Sequence, residues 1–391
     1  MAALFASAGL SSSGYIAAII VAPLIAEDLL GSVALSGLPS AFTVIGMAIG
    51  STVLATRMAV RGRRSGLILG YTIVAGAAVV AFVATNLASV ALFSVAMFTL
   101  GAGHSANRLT RYAASDLYQP EHRASAIGWV LWAGTIASVV GPALLEPAGR
   151  LAVRVGAIDT SGAHFVAIVA ALSAVLVLRT RMPALVPTRA ETDGASRRLD
   201  FGRLLAVPDT QIALVALVIS QGVMVLLMTM TPVHIRGAGD GLGSIGLVIG
   251  AHAFGMYALS PVTGLLSDRL GRVPVILAGV SILIGSAVLA AGTPGHDTTR
   301  LTVALFLLGL GWNFGFVAGS ALLTDSVPEE DRVRAQGLAD SVTWMSGAAA
   351  SLGSGVLLAS GGFPVLSFVG AAFAIIPVVW IGRHRLIVSG L

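Results

Sequence analysis

The chain has 391 residues, 56% hydrophobic and 10% charged, with a formal charge of +5 and a mean hydropathy of +0.92. A soluble domain carries roughly 25% charged residues, so the composition excludes a water-solvated fold and predicts a polytopic helical membrane protein. The lack of cysteine excludes disulfides, thiolate metal sites and cysteine nucleophiles.

A membrane span needs roughly 20 apolar residues. The N-terminal stretch MAALFASAGLSSSGYIAAIIVAPLIAEDLL has no basic n-region and no cleavage site, so it reads as a retained first span and not a signal peptide. Twelve spans follow on the length criterion, at about 4–26, 33–56, 66–86, 88–112, 123–145, 160–178, 210–232, 242–265, 273–292, 301–323, 335–358 and 363–382. The fold class expected is all-α, in two six-helix bundles, 1–178 and 210–391. A polar cytoplasmic linker, 179–209, joins them and contains Pro, Thr, Asp and Arg without an amphipathic period.

All 23 basic residues are Arg. On this topology only Arg150, Arg154, Arg236 and Arg300 fall on one side, and the others gather in alternate short loops and helix ends. That positive-inside bias places both termini in the cytoplasm and points away from nucleic acid.

The halves repeat. DLYQPEHRASAIG from Asp116 and DSVPEEDRVRAQG from Asp325 match at Asp116/Asp325, Arg123/Arg332, Ala126/Ala335 and Gly128/Gly337, all 209 apart. The same offset relates Gly62/Gly271 and Arg63/Arg272 in another loop. One offset in two separate loops indicates a duplicated six-helix unit.

Helix 7 contains QGVMVLLMTMTP (221–232) and helix 8 contains GAHAFGMYALSP (250–261). Met224 and Met228 are four apart, as are His252 and Met256, so each pair stacks on one helical face. At about 1.5 Å per residue, Met224 and His252 come to one depth near the midplane, with Met228 a turn above and Met256 a turn below. Thioether and imidazole are ligands suited to Cu(I). A neutral Met/His set holds copper without adding charge to the bilayer, and imidazole protonation links metal release to pH. Chance gives about 0.26 M-x-x-x-M and about 0.18 H-x-x-x-M pairs per chain of this composition, so the two together at one depth are the informative feature. The competing reading is that the methionines fill packing gaps.

Several further residues are singled out. Met230 is an auxiliary ligand candidate, and His234 sits at the external mouth. His104, Arg108 and Arg111 share one face of helix 4, either snorkelling or binding an anionic or polar organic substrate. Asp340, an intramembrane carboxylate, is a candidate for proton coupling or a partner for Arg332 or Arg334. Gln221, Trp312, Asn313 and Trp344 are cavity-lining candidates. The chain has no P-loop and no catalytic constellation, so it reads as a transporter and not an enzyme.

Across its whole length the sequence resembles the major facilitator superfamily. GLLSDRLGRV (264–273) is similar to that superfamily's loop signature, which implies a conformational latch of Gly264, Asp268, Arg269, Gly271 and Arg272. The first-half loop, ATRMAVRGRR (55–64), has Ala55 and Ala59 in place of the Gly and Asp, so a latch there must be differently built. Gly141-Pro142 resembles part of the antiporter motif, which leaves a proton-coupled drug exporter as a rival reading. The Met/His pairs resemble the signature of the CcoA-type copper importers (CalT branch). That resemblance implies Met224, Met228, His252 and Met256 as copper ligands, copper as transported substrate with no prosthetic cofactor, and a role in supplying cbb3-type cytochrome c oxidase assembly. The partners expected are the copper ion, the lipid bilayer and copper chaperones on either side, with the chain monomeric in the bacterial inner membrane. The same branch contains riboflavin transporters, so riboflavin or another small organic molecule is the alternative substrate.

Overall fold

The computed structural model of the protein describes residues 1–30, 38–183, 202, 205–240 and 242–389, so most of the expected linker lies outside the described residues. Among the described residues fourteen helices of ten or more residues carry the fold: α1 (Ala2–Leu30), α2 (Leu38–Arg61), α3 (Arg63–Asn86), α4 (Val90–Ser115), α5 (Arg123–Ala143), α6 (Leu145–Arg154), α7 (Gly162–Arg181), α8 (Pro208–Gly237), α9 (Leu242–Tyr257), α10 (Ser260–Leu270), α11 (Arg272–Ala291), α12 (Thr298–Ser326), α13 (Glu329–Ala374) and α14 (Ile376–Ser389). The described residues contain no strand. In hydrocarbon a helix satisfies its own backbone, which is why apolar segments of this length fold this way.

Among the described residues ten helical stretches are long and apolar enough to cross a membrane. Two features reconcile them with twelve crossings. The fourth expected span is helical as α4, but His104, Asn107, Arg108 and Arg111 lower its hydropathy. The last stretch, Glu329–Arg383, has 55 residues, over twice a single crossing. It breaks at Gly362, whose φ of 71° is left-handed and suits glycine, and Pro364 follows.

Two departures from the sequence reading have local causes. The segment after the fifth span forms a short helix, α6, in which Glu146, Arg150 and Arg154 recur four apart while Ala148 and Ala152 are buried. It is too short and too charged to register as a span. The eighth span divides into α9 and α10, because Pro261 has no N–H to donate to the carbonyl four residues back. The released carbonyls find side chains: Ser260 Oγ donates to Tyr257 O at 2.8 Å and Asn313 Nδ2 donates to Met256 O at 2.6 Å. Asn313 also bonds Ser260 Oγ and Thr263 Oγ1, both at 2.6 Å. Asn313 is therefore a fully buried structural residue and not a cavity-lining one.

Contacts group the chain into two compact units, Met1–Ala114 with Ala133–Leu199 and Pro328–Trp344, and Ser115–Trp132 with Asp200–Val327 and Met345–Leu391. The start of α5 thus belongs with the second unit and the start of α13 with the first. In the first unit α2 and α4 approach until backbones touch: a Cβ on Gly50 would overlap Ala102, and one on Gly101 would overlap Thr43. In the second unit Gly309 lets α12 meet the backbone of α9 at His252 and Met256. Small residues are what allow helices to associate in lipid.

Replacing Asn313 with Leu strands the Met256 carbonyl in a buried site, a cost of about 1–3 kcal/mol per orphaned group. The expected result is a lower melting temperature in detergent and a weaker hold on the α9–α10 bend; unchanged thermal unfolding would refute the assignment.

Candidate functional site

In the second unit α12 serves as a ruler for depth. Leu217 packs on Gly319 and Ser220 on Gly315, while Gln221 Oε1 accepts from Trp312 Nε1 at 2.8 Å, so α8 and α12 run antiparallel. At about 100° per residue, Met224 and Met228 continue the stripe of Leu217 and Ser220. Met224 is buried against the protein and Met228 is half-buried. Extending the ruler brings Met224 level with about residues 308–311 of α12. His252 Nδ1 bonds Leu305 O at 3.0 Å, and Gly309 abuts His252 and Met256. The ruler puts Met224 beside the stretch of α12 that the His252–Met256 turn of α9 also meets, with Met256 a turn closer to the arginine-rich end.

The two pairs reach α12 on different flanks. Trp312, Gly315 and Gly319 face α8, whereas Gly309 and Asn313 face α9, about 100° round the helix. Trp312 lies one turn below, bonded to Gln221 and edge-on to Tyr257 at 6.1 Å. Trp312 and Gln221 are both buried, and the Gln221 amide oxygen satisfies the Trp312 N–H. Among the described residues no three His, Asp or Glu side chains cluster as a metal site, so any metal contact here rests on thioethers and one imidazole.

His252 is nonetheless set up as a donor. With its Nδ1–H assigned to the Leu305 carbonyl, Nε2 carries the free lone pair, and it is buried without a hydrogen-bond partner. Metal-ligating histidines characteristically hold their other nitrogen against a carbonyl or carboxylate in this way. Met230 is half-buried. His234 is not a free ligand at the mouth: its Nε2 is 3.1 Å from Thr293 O and its ring stacks on Phe363 at 4.2 Å.

The first unit holds a second polar set. Asp340 pairs with Arg111 of α4, both essentially buried, and not with Arg332 or Arg334 as the sequence allowed. Arg111 also donates to Tyr112 Oη at 2.9 Å and to Arg108 O at 2.8 Å. It does not snorkel. The second Asp340 oxygen, Oδ2, is buried without a partner. Arg108 lies over the Trp344 ring at 4.8 Å, His104 stacks on Tyr15 at 3.8 Å and 10°, and Asn107 donates to Ser12 Oγ at 2.8 Å. Sequence reasoning found His104, Arg108, Arg111, Asp340 and Trp344 but missed Tyr15 and the partner of Asp340. Nothing in one sequence links Arg111 to a residue 229 positions away.

The loop between α10 and α11 forms a dense ionic knot within the second unit. Asp268 accepts from the backbone N–H groups of Ala124 and Ser125 at 3.2 and 2.8 Å, capping the start of α5 where a carboxylate suits the helix dipole. Arg272 bonds Asp268 at 2.7 Å and Asp325 at 3.1 Å, and Arg123 reaches Asp325 at 2.7 Å. Gly264 lies against the α5 backbone at Ala124, and Gly271 turns the chain with φ 92°. Arg269 is exposed. At the position 209 residues earlier than Asp268 stands Ala59, and there Arg63 bonds the neutral Gln336 at 2.6 Å.

A model of the Major Facilitator Superfamily matches residues 3–250 and 212–386. Among curated proteins the chain is similar to the uncharacterized MFS-type transporter YdeG of Bacillus subtilis (strain 168), at 37% identity over 95% of this chain and 89% of the relative. It is 30% identical to the riboflavin transporter RfnT of Brucella anthropi over 88% of this chain and 85% of that one. Among solved structures it resembles the E. coli fucose:proton symporter FucP, with a TM-score of 0.76, 16% identity and 98% of each chain covered. It also resembles a bacterial homologue of the iron transporter ferroportin, with a TM-score of 0.74, 16% identity, and 97% and 98% covered. At these identities the two structures speak to the fold alone.

Removing one partner of a buried ion pair costs about 3–5 kcal/mol, whereas replacing both by apolar groups can be neutral. Arg111→Met should therefore destabilise the protein more than the Arg111→Met/Asp340→Leu pair does. Thermal unfolding of the purified variants checks this, and strictly additive losses would show that the two groups are not coupled.

Proposed function

The chain belongs to the Major Facilitator Superfamily, and we propose that it imports copper across the bacterial cytoplasmic membrane by alternating access, with both termini inside. As a member of that family it is a membrane carrier and not an enzyme. The observation that supports copper is His252, whose buried Nε2 offers a lone pair at the level of Met224. Met228, then Met224 with His252, then Met256 form a descending series of soft donors toward the arginine-rich end. Neutral thioether and imidazole donors bind Cu(I) weakly enough for release. Copper chaperones on either side and delivery to cbb3-type oxidase assembly complete the reading.

Alternating access needs two states and a reversible lock. The Asp268–Arg272–Asp325–Arg123 knot is the charged part of that lock. Asp340 is the proton-coupling candidate, since one oxygen is held by Arg111 and the other is free to take a proton. The expected six-helix bundles, 1–178 and 210–391, are the moving halves.

A second reading has its own support. The likeness to a riboflavin transporter extends over most of both chains, and the first unit offers Tyr15 on His104 and Arg108 over Trp344, flat surfaces suited to a planar ring with polar edges.

Uptake of radioactive copper and of riboflavin, in cells lacking their own importers, separates the two. Copper uptake by wild type that falls at least tenfold in His252→Ala and Met224→Ala, at matched membrane levels, is the expected result. Riboflavin uptake without copper uptake, insensitive to His252→Ala, would overturn the copper reading and establish the second.

A further inference from the structure

The arginine-rich end of the first unit contains a cleft of 580 Å³ lined by Arg57, Arg61, Arg64 and Arg179. Its remaining lining, Ser65, Ile68, Leu69 and Thr72, runs up α3 for about 12 Å beyond Arg64. Among the described residues no acidic side chain lines it, and none of the four arginines is in an ion pair. Arg64 is held in place by the carbonyls of Leu178 and Arg179, at 3.2 and 2.7 Å. Arg57 Nε is enclosed without a hydrogen-bond partner. Four clustered guanidinium groups repel one another, so a fixed cluster of this kind calls for an anion.

We propose that this cleft binds an anionic phospholipid of the inner leaflet. The phosphate sits among the four arginines, and an acyl chain lies along Ile68, Leu69 and Thr72. Guanidinium forks match phosphate oxygens, and a basic cleft between helices at this side of a membrane is a site for acidic headgroups. The apolar strip is what favours a lipid over a soluble anion: Thr72 is exposed and Ile68 and Leu69 are half-exposed, so the cleft opens sideways into hydrocarbon. The repeat supplies the reason for the vacancy of negative charge. Asp268 gives the second-half loop its own anion, whereas Ala59 removes the equivalent carboxylate from the first. The lipid phosphate provides from the bilayer the charge that the first-half loop does not encode.

The test is native mass spectrometry of the full-length, delipidated protein offered phosphatidylglycerol or phosphatidylcholine of the same chain length. Wild type should retain phosphatidylglycerol in preference to phosphatidylcholine. Arg61→Gln with Arg179→Gln, at exposed positions that leave Arg64 pinned, should bind phosphatidylglycerol about 25-fold more weakly, at about fivefold per arginine. Arg150→Gln with Arg154→Gln, the same loss of charge at the other end, should bind as wild type does. Equal retention of both lipids, or full retention by the Arg61/Arg179 variant with a wild-type melting curve, would overturn the proposal. So would displacement of the lipid by millimolar inorganic phosphate alone, which would assign the cleft to a soluble anion.

Discussion

Hydrocarbon accepts and donates no hydrogen bonds, so each polar group that enters a span must bring or find a partner within the protein. The bend between α9 and α10 shows the consequence. Pro261 releases carbonyls within the span, Asn313 and Ser260 take them up, and Thr263 donates to the Asn313 side chain that does so. That repair fixes α12 against α9 at Gly309 and so sets the height at which His252 and Met256 are presented. The same constraint governs α4, where Arg111 is tolerated because Asp340, Tyr112 and a carbonyl meet its donors.

The duplicated loops have diverged in the chemistry that closes them. In the second half a carboxylate caps α5 and is itself held by Arg272, so backbone dipoles, two aspartates and two arginines form one connected network. Such a network responds to a change in any member. The first half keeps the arginine of the pair, Arg63, and there it bonds Gln336, while Ala59 stands where the second half has Asp268.

Architecture was legible because it is written in long-range composition. Span length reports on the bilayer, which acts on many residues at once. Approximate depth along a helix was legible too, since it follows from a fixed rise per residue. Azimuth was not. That Asn313 turns to a proline bend, that His234 is stacked on Phe363, and that Asp340 meets Arg111 all depend on how helices rotate against one another, and small-residue contacts decide that collectively. The helix α6 was missed for a different reason: its four-residue charge repeat is the signal, but a criterion built on apolar length passes over it.

The methionines and the histidine differ in what they require as an explanation. Met224 continues the stripe of Leu217 and Ser220, opposite a glycine-rich face of α12, where a flexible apolar side chain fills space well. Packing alone accounts for it. His252 is different, because an imidazole lone pair buried without a partner loses its hydration and gains nothing in return. An unpartnered buried imidazole does not by itself require a ligand, since both ring nitrogens of His164 are in the same position. What sets His252 apart is that its Nδ1 is fixed on a carbonyl, which leaves Nε2 as the atom that a soft cation, or an organic substrate presenting a donor, would meet in the reading proposed above. The substrate question therefore turns on that nitrogen atom.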